Sequence, residues 1–393
     1  MAKYTINTRI MSNVAASKLF YDLKVYKRDG QDKEHVLLSV TKQPFTADYK
    51  TQPHVTNETE DDLSVIYMMD IMLYREHGGK LHPVLRVPST KMYTLREMVS
   101  GEAFSDIKRE NVCYFEAKTE TRPVNENGKD NIHSVQITCY ERAFIAKQYP
   151  VGDPLDPFEK SKIDAQIASR MNYSSYPDQG DTSLCGPASL FFSLQKDRPE
   201  IYKQAARELW MYGKTKINKL VINPSDGCRH PEGPFYDNKR ELISGLDWMT
   251  LASLRDSSNS MMNYNKVDDE VSGITAWGEL SGWFEMVGYK KVHSDVGFIS
   301  KSMDSINKLN FYMEKGCRVV ALVNASLING RDMKIAIPNH WVVWQGPLII
   351  NANGSIEQRV FSWGDRQTKI EGNKGGAFYT NRFFGALVFE PLK

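Results

Sequence analysis

The chain has 393 residues, more than one domain of ordinary size holds, so two domains are expected. Its 50 Lys and Arg nearly balance 48 Asp and Glu, which gives no support for a broad nucleic-acid footprint. With 7 Trp, 19 Tyr and 17 Phe there is ample material for real cores, and a chiefly disordered chain is not expected.

The opening "MAKYTINTRIMSNVAASKLFYDLKVYKRDG" lacks the basic-then-apolar pattern of a secretory signal peptide, and no window approaches membrane-spanning length. The expectation is a chain made and folded in a cytoplasm, without a membrane span, and open to export by a machine that needs no signal. Residues 1–150 read mainly as strands and turns. "HVLLSV" (35–40), "VCYFEAKTET" (112–121) and "HSVQITCYE" (133–141) are β-prone, and the Asn-Gly in "RPVNENGKDN" (122–131) suggests a hairpin loop. "DDLSVIYMMDIMLYREH" (61–77) stays open between helix, for its length and Met/Leu content, and strand, for Val-Ile-Tyr. His35, His54, His77, His82 and His133 are scattered and read as surface or packing residues.

"YPVGDPLDPFEKSK" (149–162) sets three prolines and a glycine among charges, and residues 151–162 read as a linker between domains. Residues 163–393 then change character. "LCGPASLFFSLQKD" continues as a helix with Leu190, Phe191 and Leu194 on one face, and Pro187 suits its first turn. "RPEIYKQAARELWMYGKT" gives a second helix, and "ITAWGELSGWFEMVGY" and "SMDSINKLNFYMEKG" two more. Strands follow in "CRVVALVNA", "HWVVWQG", "LIINANG", "IEQRVFSWG" and "GALVFE". Helices followed by a run of strands predict α+β with an antiparallel sheet.

Five cysteines (Cys113, Cys139, Cys185, Cys228, Cys317) are odd in number and contain no CxxC pair, which argues against a disulfide framework and a structural zinc site. Cys228 and His230 make a Cys-x-His without a second ligand pair, so neither metal nor cofactor is expected. Cys185 is different, because it heads a helix. Only a thiolate attacks, and unpaired N–H groups at a helix start, or a nearby imidazolium, lower a thiol's pKa. Gly186 is expected to keep the approach open. His340, at the head of a β-run and flanked by Trp341 and Trp344 that would restrict water, is the candidate base; His230 and His293 lie in weaker settings.

Gln179, six positions before Cys185-Gly186, together with "NHWVV" and "SWG", resembles the papain-like cysteine peptidases. The resemblance runs from Gln179 to the carboxyl end and implies a helical part carrying the cysteine and an antiparallel sheet carrying the histidine. It implies that Gln179 helps hold the oxyanion, Cys185 attacks and His340 shuttles the proton, as a thiolate–imidazolium pair. Phe361 stands where the family's asparagine would be. Asp365 is the nearby acid that would hold the imidazole tautomer, with Asn351 and Asn353 as other possibilities. The implied activity is amide cleavage in a protein or a peptidoglycan peptide. Side-chain deamidation, transglutamination, or a non-catalytic binding protein on a degenerate peptidase scaffold remain as alternatives.

"CGPASLFFSLQKDRPEIYKQAARELWMYGKT" also resembles bacterial proteins associated with type VI secretion, which look like antibacterial or host-directed toxins with papain-like domains. That resemblance implies export from a bacterial cytoplasm into a target cell and a β-rich first domain for delivery, targeting or regulation. It also implies a secretion-apparatus partner and a cognate immunity protein.

Overall fold

The computed structural model describes every residue except 11, 13, 86, 104–141, 234, 238, 239, 259–274 and 334. The expected strands at 112–121 and 133–141, the loop between them, Cys113, Cys139 and His133 lie outside the described residues. The chain divides into two compact units, residues 1–141 and 142–392.

In the first unit, β1 (Leu19–Arg28), β2 (Glu34–Pro44), β3 (Ile66–His77), β4 (Lys80–Pro83) and β5 (Ser89–Thr94) form an antiparallel sheet. Its order is β2-β1-β3-β4, with β5 also paired to β3. Side chains in β1 alternate as a half-covered strand demands, with Leu19, Tyr21, Leu23 and Val25 buried. β3 resolves the open segment as strand. One edge meets β1 from Leu19↔Arg75 to Tyr26↔Met68, and the other is shared by β4 and β5, so both rows of backbone groups find partners. The alternation that would have marked it as strand is hidden because Val65 through Met69 are all buried. Helix α1 (Leu95–Val99) follows β5 through a capping box of Thr94 and Glu97.

The segment expected to link two domains belongs to the second unit. Asp156 is buried and accepts from both terminal nitrogens of Arg142 at 2.7 and 3.1 Å. Phe158 is fully buried between Phe144 and Phe235, each 5.5 Å away by ring centroid. Asp153 and Asp156 fold the proline-rich stretch by accepting from the N–H two residues on, at Leu155 and Phe158. The prolines therefore stiffen an ordered loop. The following helix, α2 (Lys160–Met171), starts inside the expected linker.

Helices α3 (Cys185–Asp197), α4 (Pro199–Tyr212) and α5 (Trp277–Val287) pack with a helical run of Gly245–Asp247, a π turn at Trp248–Ala252, and Ser253–Ser258. α4 ends at Gly213, whose φ of 67° takes the left-handed C-cap. α3 is not amphipathic: every residue from Cys185 to Gln195 is buried, because α4, α5, the π turn and the sheet surround it. Two of its serines bond back to the helix itself. Ser189 donates to the Cys185 carbonyl and Ser193 to the Ser189 carbonyl, each at 2.8 Å.

The sheet comprises β6 (Lys291–Ser294), β7 (Arg318–Val323), β8 (His340–Trp344), β9 (Arg359–Ser362), β10 (Asp365–Lys369) and β11 (Phe383–Phe389). Their order is β6-β11-β7-β8-β9-β10, all antiparallel, and the protein is α+β. Val319, Ala321, Val323, Val342 and Trp344 turn to one core, while the buried Val320 and Leu322 turn to the other face. Phe192 of α3 stacks on Phe361 at 3.9 Å, and Phe284 of α5 on Phe389 at 4.4 Å, so the helices close that second face. "LIINANG" instead forms a separate hairpin with Ile356–Glu357, and "SMDSINKLNFYMEKG" forms two short helices, Met303–Asn307 and Leu309–Glu314. No described helix is long and apolar enough to cross a membrane.

Candidate active site

The start of α3 is left without a side-chain cap, because Leu184 occupies the N-cap. The first intrahelical bond runs from Ala188 N to Leu184 O at 2.9 Å, and Pro187 has no N–H to lose. The N–H groups of Cys185 and Gly186 turn to the Cys185 sulfur, and the N–H of Trp341 in β8 joins them. Gly186 serves packing, not access. A Cβ there would lie 2.3 Å from Thr275 Oγ1, and the Thr275 carbonyl in turn accepts from Trp341 Nε1 at 2.9 Å. Thr275 thus ties the helix start to the strand that carries the histidine.

His340 opens β8 opposite Val323 and is buried. Its Nε2 lies 2.7 Å from Ser362 Oγ, and its ring stacks on Trp363 at 4.3 Å with planes 10° apart. Among the described residues, only Nε2 of this ring has a hydrogen-bond partner. The β9–β10 turn places both groups, with Trp363 and Gly364 at φ of 43° and 71°. Gly364 is required there, since a Cβ would sit 2.9 Å from Asp178.

Asp365 does not hold the imidazole. It is exposed beyond the turn, where its carboxylate closes onto Gln367 N at 2.8 Å and Thr368 Oγ1 at 3.3 Å. Asn351 and Asn353 bond to Ser355 in the separate hairpin. Phe361, at the place where the resemblance expects an asparagine, stacks on Phe192 in the core. Of the two tryptophans expected to shield His340, Trp341 packs against Thr275 and Trp344 lies in the opposite core; Trp363 covers the ring instead. Ser362 is legible within "SWG" only as part of a pattern, since nothing in the sequence says which way a residue at a hairpin turn points.

A cavity of about 370 Å³ brings Gln179, Cys185 and His340 together, with Thr182, Asn339 and Trp363 also in its wall. Gln179 is buried and donates from Nε2 to Thr182 O at 2.6 Å, while Thr182 Oγ1 donates back to Gln179 O at 2.5 Å. This reciprocal pair fixes the loop before the cysteine. A primary amide has two N–H groups, so one remains for the cavity.

Burial decides the charge state. It pushes the Cys185 thiol up to about 11, against the three N–H groups and the Arg255 charge that favour the thiolate. It pushes His340 down to about 3. Both shifts favour a thiol and a neutral imidazole at rest over the ion pair expected from the sequence. Cys228 faces Ser253 Oγ and Cys317 packs in the sheet core. His230 turns to Asp226, and His293 stacks on Tyr312. Among the described residues, no three His, Cys, Asp or Glu side chains gather to hold a metal. No protein-family model matches the chain, and no curated protein or solved structure matches it.

Proposed function

We propose that the second unit is a papain-like cysteine hydrolase that cleaves an amide bond. The observation that carries this reading is that Cys185, His340 and Gln179 wall one and the same cavity. As Cys185 Sγ bonds to the carbonyl carbon, its proton passes to His340, and the carbonyl π pair moves to oxygen. In this reading the Cys185 N–H and the second Gln179 N–H stabilise that oxyanion. His340 then gives its proton to the departing amine, and water releases the acyl group.

A polypeptide fits the surroundings better than a sugar-bearing peptide. Val323 lies opposite both His340 and Phe383, which sets the flanking loops at the same end of the sheet. The loop with exposed Phe298 and Ile299 is anchored there by Gly297 N to Phe384 O, at 3.0 Å. Exposed Ile335 and Ile337 lie in the stretch leading into His340. Apolar substrate side chains would cover them.

In the same reading the chain is a bacterial toxin exported by a type VI machine. The first unit serves delivery or target binding, and an immunity protein blocks the cavity. Expression in a susceptible cell should then be toxic in a Cys185-dependent way, and harmless expression in both cytoplasm and periplasm would contradict it. The burial of Cys185, only 4% exposed, favours a second reading, a binding protein on a degenerate peptidase scaffold. The mass of unfolded casein and of peptidoglycan peptides after incubation with the full chain separates these. Two fragments that together gain one water mark hydrolysis, lost in Cys185→Ala; deamidation and cross-linking leave other mass changes, and no change supports the binding protein.

A further inference from the structure

The resemblance leaves the group that orients His340 without an owner, since Phe361 is core and Asp365 points away. The hydroxyl at Nε2 fills that place. Ser362 is 2% exposed, its Oγ is 2.7 Å from Nε2, and Trp363 lies flat against the imidazole beside this contact. β9 runs antiparallel to β8 through Val343↔Phe361, so Ser362 at its end heads back toward the start of β8, and the contact is set by two strands rather than by a loose loop.

We infer that Ser362 is the positioning residue of His340: its oxygen accepts the Nε2–H, fixing that tautomer and leaving the Nδ1 lone pair for the Cys185 thiol. In the opposite tautomer Nδ1 carries the proton and Nε2 accepts from Ser362, so the ring offers the S–H proton no acceptor. A serine differs from a carboxylate in one respect that matters here. It is neutral, so it orients the ring without stabilising an imidazolium before attack. The S–H bond therefore breaks as the S–C bond forms, with the proton passing to Nδ1. The Ser362 oxygen keeps accepting from Nε2–H throughout.

The inference rests on the hydrolase reading for its purpose, but its test uses no substrate. In the full chain labelled with ¹⁵N-histidine, the His340 signals at neutral pH should show Nε2 protonated and Nδ1 bare. Ser362→Ala should mix the two tautomers and slow alkylation of Cys185 by iodoacetamide about tenfold. Ser362→Asn, which restores an acceptor, should recover most of that rate. Ser362→Asp should raise the imidazole pKa and carry the alkylation profile to lower pH. A protonated Nδ1 in the unaltered chain, or alkylation indifferent to Ser362→Ala, overturns the inference. A chain that behaves as expected here yet cleaves nothing leaves the inference standing and sinks only the hydrolase reading.

Discussion

His54 in the first unit and His340 in the second have much in common locally. Each offers Nε2 to a hydroxyl, Tyr21 at 2.8 Å and Ser362 at 2.7 Å, and burial lowers the pKa of each. What surrounds them differs. The Tyr21 hydroxyl also accepts from Gln52 N at 2.8 Å, closing a local network that holds the short pairing of Thr5–Ile6 with His54–Val55. His340 instead lies at a cavity shared with a thiol and a buried amide. A hydrogen-bonded, neutral histidine is thus a structural unit in one place and a candidate base in the other. Convergence of different chemistries on one space makes the difference, and burial alone does not.

The largest contrast should appear in catalysis. His340→Ala is expected to lower amide cleavage about 10²–10⁴-fold, and His54→Ala to leave it unchanged, in a steady-state assay of the full chain. Equal losses in the two variants would erase the distinction.

Acid stability sharpens the comparison by degree. The folded pKa of His340, about 3, lies below the ordinary 6.5 of a free imidazole. Between those values the unfolded chain binds a proton that the native chain lacks. The contribution of His340 to stability is therefore present above the upper value and lost as pH falls through the window. By about pH 4.5 this amounts to about 2–3 kcal/mol. Urea midpoints at about pH 7 and about pH 4.5 should converge by that amount in His340→Phe, and an unaltered gap would contradict the burial account. His54 should act in the same direction over a smaller range. The smallest effect belongs to Asp365→Ala, which should move stability by less than about 0.5 kcal/mol and leave cleavage intact. A large loss of cleavage would return Asp365 to the site.

Much of this architecture is legible in the residues. The α4 boundaries follow from Pro199 and Gly213, and Gln179, Cys185 and His340 can be picked out before they are seen to meet. What escapes is what depends on distant partners. β3 reads two ways until β1, β4 and β5 claim its edges, and the prolines of 149–162 look like a tether until Asp156 meets Arg142. The role of Gly186 requires Thr275, nearly ninety positions away, to come within reach of an absent Cβ. Ser362 and Asp365 are separated only by a two-residue turn, and the turn's backbone decides which one meets the imidazole.

The account stands on Cys185 being a thiol that its surroundings can activate while the other buried thiols stay inert. Treating the full chain at neutral pH with a peptide-based electrophile, then locating the adduct by mass spectrometry, tests this directly. The account predicts modification of Cys185 in preference to Cys228 and Cys317, lost in His340→Ala. Modification spread evenly over the cysteines, or absent from Cys185, would contradict it.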